Sequence, residues 1–135
     1  MITEDYANYE LSLKLREKGF DEYCLTAYSV NISDFLCVSP IKNSDIVKDS
    51  VYIVTCPTLQ MVMKWIREKY NIEVVISIGL VGQEKRKMYY WTPVIYRENG
   101  LDYPVNYPDG SVDTPAETWE GAVSDCVNYI LDNLI

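Results

Sequence analysis

The chain has 135 residues, of which 48% are hydrophobic, 24% are charged and 13% are aromatic. This length leaves no room for a second domain, and this composition excludes an intrinsically disordered chain. The formal net charge of −8 disfavours nonspecific binding to nucleic acid, because the phosphates would repel it. We therefore expect a single folded domain over residues 1–135.

Residues 7–18 are predicted to form the first helix, and Gly19 supplies the left-handed residue that ends it. Two residues are candidates for its N-cap, namely Asn8 and Thr3. In a Schellman ending, Phe20 would contact Leu15.

The next segment predicts two short strands. Residues 23–30 mix aromatic and β-branched residues without helical periodicity, and residues 51–54 form the second strand. Residues 35–38 are compatible with a further strand, whereas Ser39-Pro40 and residues 42–45 carry turn chemistry.

The stretch from Cys56 to Ile78 predicts an amphipathic helix that runs directly into a strand. Pro57 is expected at the first helical position, after Thr55 or Cys56 at the cap. Asn71 is the expected left-handed stop, after which the apolar period changes to two, as in a half-buried strand. The buried stripe of this helix comprises Leu59, Val62, Met63, Ile66 and Tyr70.

Two hairpins follow. Residues 79–87 form the first turn, and residues 88–97 form a strand in which Pro93 favours an edge position or a bulge. Asn99-Gly100 predicts a two-residue type I′ turn, so residues 101–105 should pair antiparallel with the preceding strand.

The last helix is predicted from a capping box at Thr114-Pro115-Ala116-Glu117, with the proline at the first helical position. Its apolar stripe comprises Trp119, Ala122, Val123, Cys126 and Ile130. The complete pattern predicts an α+β fold, an antiparallel meander with about three helices packed on it in the order α-β-β-α-β-β-β-α.

Histidine is absent, which removes Ser-His-Asp and Cys-His catalysis and the commonest zinc ligands. The four cysteines are separated by 13, 19 and 70 residues, so no C-x-x-C pair exists for a zinc or redox site. We expect reduced thiols, no metal and no cofactor.

The first ten residues, MITEDYANYE, lack the basic and apolar regions of a secretory signal. No apolar run approaches the roughly 18 residues that a membrane-spanning helix needs. We therefore expect a cytoplasmic protein that does not enter a membrane.

Three pieces of the chain are NYELSLKLREKGFDEYC, PTLQMVMKWIREKYNIEV and TWEGAVSDCVNYILDNLI. They resemble a group of small uncharacterised proteins encoded by gut Bacteroides genomes and by phages or prophages. In that group a helix ending in KGF, a PTLQ helix and an acidic terminal helix occur in the same order. The resemblance covers roughly half the chain. It implies no activity, cofactor or substrate, and it points to an accessory protein of a mobile element.

Two residues are candidate catalytic groups. Cys56 lies near the start of the second helix, where the dipole can lower a thiol pKa, but it has no histidine base and is interpreted as structural. Glu73 is interpreted as an outward carboxylate on a solvated strand face. We therefore name no catalytic residue and lean against an enzyme, with a carboxylate-based hydrolase as the weaker alternative.

The charge layout selects a candidate interaction surface. Residues 98–135 carry 8 acidic residues and no basic one, so the whole net charge lies there. The basic turn at residues 85–87 is the complementary feature. The candidate surface therefore comprises Glu117, Glu120, Asp125, Asp132, Lys85, Arg86 and Lys87.

Several functions suit this surface. The preferred hypothesis is a non-enzymatic accessory or protein-binding domain of phage, mobile-element or Bacteroides origin. One alternative is an acidic mimic of nucleic acid that binds a host DNA-binding protein, although its acids are sparse for that role. Direct nucleic-acid binding by the basic turn is disfavoured, because strand alternation leaves only one pair of aromatic residues available for stacking. Homo-oligomers could form through a strand edge beside Pro93, or through the basic turn and a neighbour's acidic helix.

Overall fold

The computed structural model describes residues 4–30, 34–46, 53–104 and 115–135. Its elements follow in the order α1 (Tyr9–Glu17), β1 (Cys24–Ser29), β2 (Phe35–Ile41), a 3₁₀ helix (Asn43–Asp45), β3 (Ile53–Thr55), α2 (Leu59–Tyr70), β4 (Ile72–Val81), β5 (Arg86–Arg97), β6 (Gly100–Asp102) and α3 (Trp119–Asn133). The predicted α+β class and element order are confirmed. Residues 35–38, for which the sequence is only compatible with a strand, belong to β2.

The chain divides into two compact units, Met1–Val62 and Met63–Ile135, and the boundary falls inside α2. The first unit contains an antiparallel sheet in the order β2-β1-β3, and the second contains the antiparallel meander β4-β5-β6. The expectation of one domain over residues 1–135 stays a prediction.

The helix α1 begins and ends as its sequence predicts. The Asn8 side chain accepts a hydrogen bond from the Leu11 N–H at 2.8 Å, which identifies Asn8 as the N-cap. Gly19 has a φ of 89°, and the Phe20 N–H donates to the Leu15 carbonyl at 2.9 Å. This is the long bond of a Schellman motif, and it brings two buried apolar side chains to the helix end.

The helix α2 begins later than predicted. Thr58 caps it, because its Oγ1 accepts a hydrogen bond from the Met61 N–H at 3.2 Å. Pro57 is not a helical residue: its carbonyl accepts the Ala7 N–H at 2.9 Å, and Thr58 forms a β-bridge with Tyr6. Pairing with the N-terminal segment therefore holds the chain extended at Pro57. The predicted left-handed stop is confirmed at Asn71, whose φ is 57°.

Pro93 lies in the central strand of its sheet, which corrects the prediction of an edge or a bulge. The N–H and C=O of Tyr89 both bond to Ala116, so the odd-numbered residues of β5 direct these groups away from β4. Pro93 is one of them, and among the described residues nothing pairs with it on that side. Its missing N–H therefore leaves the β4–β5 ladder intact.

The hairpin between β5 and β6 turns one residue earlier than predicted. Arg97 pairs with Gly100, so the two loop residues are Glu98 and Asn99. Gly100 has a φ of 132°, whereas neither loop residue has a positive φ. The predicted type I′ turn at Asn99-Gly100 is therefore wrong, because such a turn needs positive φ at both central residues.

The helix α3 also begins later than predicted. Thr118 is its N-cap and accepts a hydrogen bond from the Gly121 N–H at 3.1 Å. The predicted capping box spans residues 114–117, of which Thr114 lies outside the described residues. Ala116 is held in an extended bridge by Tyr89, which prevents a helix from starting there.

The second unit buries the predicted stripe of α3 except for Trp119, which is only half-buried. The helix contacts β4 and β5, and the ring of Tyr129 lies 5.5 Å from that of Trp91 between centroids. The buried residues of α3 are Ala122, Val123, Cys126, Val127, Ile130 and Leu131.

Candidate protein-interaction surfaces

The structure joins the basic turn to the acidic terminal segment. Arg86 forms an ion pair with Glu117, and both side chains are more than half exposed. Beside this pair, Tyr89 and Ala116 exchange two backbone hydrogen bonds of 2.8 and 2.9 Å, and the Lys87 ammonium lies 5.4 Å from the Tyr89 ring centroid. Two charged residues that the sequence predicts to bind a partner, Arg86 and Glu117, therefore neutralise each other within the chain.

The other predicted surface residues are spread along α3 and the turn. Glu120, Asp125 and Asp132 are all exposed, and Lys85 ends the exposed turn with a φ of 53°. Asp125 and Asp132 are seven residues apart and share one helix face, whereas Glu120 projects about 140° away from Asp125. Partial burial raises the pKa of the Asp125 carboxyl. Of the seven residues, the structure therefore brings Arg86 and Glu117 into contact, and it places Asp125 and Asp132 two turns apart on one face of α3.

Cys56 is buried and lies outside helix α2. Its thiol donates a hydrogen bond to the Ala7 carbonyl at 3.2 Å, and its N–H donates to the Thr26 carbonyl at 2.9 Å. Burial raises the pKa of this thiol, which keeps it protonated at neutral pH. This environment suits a structural thiol, since a thiolate nucleophile needs a lowered pKa.

Glu73 and the cysteines, the remaining candidates for catalytic or metal-binding groups, show no such site among the described residues. Glu73 pairs with Arg67 at 3.5 Å, with both side chains about half exposed. All four cysteines are free thiols. Within the described ranges, no group of three His, Cys, Asp or Glu residues could hold a metal ion, and no helix is long and apolar enough to cross a membrane.

A cleft with a volume of about 970 Å³ lies in the first unit. Two carboxylates line it, Glu17 and Asp21. The Asp21 carboxylate accepts the Ser44 N–H at 2.7 Å, and this bond lowers the pKa of Asp21. A glycosidase-type pair instead needs one acid with a raised pKa, so Asp21 fits a loop-fixing role better than general acid catalysis.

The most distinctive surface in the second unit is the outer edge of β4. This strand pairs with β5 over ten consecutive residues without a bulge, and no described residue pairs with its other side. Ile78 of β4 lies opposite Tyr89 of β5. Because the backbone N–H and C=O of Tyr89 bond to Ala116, Ile78 and Tyr89 form a non-hydrogen-bonded pair of the β4–β5 ladder. Alternation then directs the N–H and C=O of every even-numbered residue outward, namely Ile72, Val74, Ile76, Ile78 and Leu80.

The far end of this strand is apolar and exposed. Ile78 is 63% exposed and Leu80 is 66% exposed, and both lie on the side of the sheet that α3 covers elsewhere. On the opposite side, Val75 and Val81 are 45% and 41% exposed. The single charged residue of the strand is Glu73. Ile72, by contrast, is only 2% exposed, so its outward backbone groups are covered. We define the open edge as the outer side of β4 from Val74 to Val81.

Sequence reasoning missed the open edge because it placed the sheet boundary at Pro93 and ended β4 at Ile78. The signal was present in the run from Gly79 to Val81, where the apolar residues Leu80 and Val81 extend the strand into the predicted turn. Strand order depends on pairing between distant segments, and local patterns do not report it.

In comparisons with known proteins, the chain matches no family model, no curated protein and no solved structure.

Proposed function

We propose that this protein is a non-enzymatic, protein-binding accessory domain, and that it binds an extended polypeptide strand at the open edge of β4. The observation that carries the proposal is the row of four accessible residues, Val74, Ile76, Ile78 and Leu80, whose backbone donors and acceptors point outward. A strand added there would satisfy these groups as β5 satisfies those of the inner side.

The composition of the open edge supports a binding role. Natural proteins protect long edges with lysines, prolines, bulges or short strands, because an unprotected edge pairs with other chains. β4 is ten residues long, lacks lysine and proline, and pairs regularly with β5 throughout. The exposed side chains of Ile78 and Leu80 add apolar area beside these backbone groups.

We further propose a cytoplasmic setting in a phage or Bacteroides context. The four free thiols suit a reducing compartment, and the resemblance of the KGF, PTLQ and acidic helices supports the mobile-element origin.

A displayed library of short random peptides, selected on the full chain, tests the proposed function. We expect enrichment of extended sequences with alternating β-branched residues, because an added strand contacts the edge through its backbone and through every second side chain. Their binding should be lost in Ile78→Lys, which places a charge on the open edge. It should persist in Leu25→Lys, a matched control since Leu25 is 64% exposed and lies in the central strand β1. Equal binding to both variants would contradict the proposal.

The alternative of an acidic nucleic-acid mimic stays a prediction. Asp125 and Asp132 share a helix face and support it, whereas Glu117 is already paired with Arg86, which leaves one acid fewer for a mimic. A carboxylate-based hydrolase would use the cleft that contains Glu17 and Asp21, and the lowered pKa of Asp21 is unfavourable for that chemistry.

A further inference from the structure

We propose that the strand bound at the open edge is β4 of a second copy, in an antiparallel homodimer whose two sheets form one continuous six-stranded sheet. The inference rests on the proposed function and specifies its partner. It follows from the register that the outward groups of β4 allow and from the side chains that this register places opposite each other.

Antiparallel pairing requires each outward-facing residue to lie opposite an outward-facing residue of the other strand. Ile72 is 2% exposed and is not available for pairing, which leaves Val74, Ile76, Ile78 and Leu80 as the accessible outward residues. All four find accessible partners in a single register, whose two-fold axis passes beside Ser77. Val74 then lies opposite Leu80 of the second copy, and Ile76 lies opposite Ile78 of the second copy. A shift of the axis by one residue in either direction leaves an accessible outward residue of β4 without such a partner.

The side chains suit this register. The exposed residues Ile78 and Leu80 come beside Ile76 and Val74 of the second copy, so apolar groups lie opposite apolar groups. Glu73, the single charge of the strand, lies opposite Val81 and not opposite its own equivalent. The dimer therefore brings no like charges into direct opposition.

The effect of salt distinguishes this dimer from the alternative dimer in which the basic turn binds a neighbour's acidic helix. Each copy carries a net charge of −8, so two copies repel each other, and added salt screens that repulsion. The β4 dimer is held by backbone hydrogen bonds and apolar contacts and should therefore strengthen with salt. A dimer held by the basic turn would weaken with salt.

Sedimentation velocity of the full chain, over a range of protein and salt concentrations, tests the inference together with amide hydrogen exchange by NMR. We expect a monomer–dimer equilibrium that salt shifts towards the dimer. The amides of Val74, Ile76, Ile78 and Leu80 should gain protection in step with the dimer fraction, because no described residue pairs with them in the monomer. Ile78→Lys should weaken dimerisation by about tenfold or more, and Leu25→Lys should leave it unchanged.

The two measurements separate the failure of the inference from the failure of the proposed function. A monomer at every concentration with unprotected even-numbered amides would overturn the second copy as the partner and leave the edge open for another strand. A monomer in which those amides are already protected would show the edge to be covered by its own chain, and both proposals would fall. A dimer that dissociates with salt and ignores Ile78→Lys would also overturn the inference.

Discussion

The ring of Tyr90 lies across Gly79 on the neighbouring strand, so closely that a Cβ at Gly79 would be 2.7 Å from Tyr90 Cε2. The two residues are diagonal neighbours, because Gly79 pairs with Met88 and Tyr90 pairs with Ser77. An aromatic ring over a strand glycine supplies the contact that the glycine lacks. This arrangement supports the end of β4 where Ile78 and Leu80 form the exposed part of the open edge.

Gly79→Ala should destabilise the protein by about 1 to 3 kcal/mol, because the added methyl group forces the Tyr90 ring to move. In a Tyr90→Ala background the same substitution should be neutral or stabilising, since the ring is gone and alanine loses less backbone entropy than glycine on folding. Urea unfolding of the four proteins in a double-mutant cycle measures the coupling. Additive changes in the free energy of unfolding would show that Tyr90 does not restrict residue 79.

Thr118 rather than the segment around Pro115 should control the start of α3. Thr118→Ala removes the oxygen that accepts the Gly121 N–H, and should lower the free energy of unfolding by about 1 kcal/mol. Thr118→Ser keeps the hydroxyl and should restore most of that stability. Pro115→Ala should have little effect on the helix, and a larger loss from Pro115→Ala than from Thr118→Ala would favour the start predicted from the sequence.

The Arg86–Glu117 ion pair should contribute little to stability despite joining segments 31 residues apart. Both side chains are more than half exposed, and exposed pairs are weakened by solvent and salt. Glu117→Gln should therefore change the free energy of unfolding by less than about 0.5 kcal/mol at moderate salt. Glu120→Gln, which alters a charge on α3, is the matched control. A loss well above that of the control would assign the pair a structural role.

Structural features that depend on neighbouring residues could be predicted from the sequence, whereas features that depend on distant backbone partners could not. The ends of α1 could be predicted because Asn8, Gly19 and Phe20 act within one or two turns of the chain. The starts of α2 and α3 could not, since Pro57 and Ala116 are held by distant backbone partners that override the local proline signals. The candidate interaction surfaces likewise depend on pairing between segments that are distant in the sequence.

Two features of the candidate site illustrate this limit. The residues Lys85, Arg86 and Lys87 were identifiable as a charged turn, but the pairing of Arg86 with Glu117 depends on the bridge between Tyr89 and Ala116. The open edge follows from strand order, and a proline in the central strand β5 concealed that order.

Stability should fall with rising pH above about 9 because of buried thiols. Burial raises the pKa of Cys24 to about 11 and that of Cys126 to about 12, from 9.0. The unfolded chain therefore loses these protons first, so the stabilisation is complete below pH 9 and declines as the pH rises through the folded-state values. Urea unfolding under reducing conditions at increasing alkaline pH measures the decline. Cys126→Ala should reduce its slope, whereas the exposed Cys37 in Cys37→Ala is a control that should not. A free energy of unfolding that stays constant over this range would contradict the burial of the two thiols.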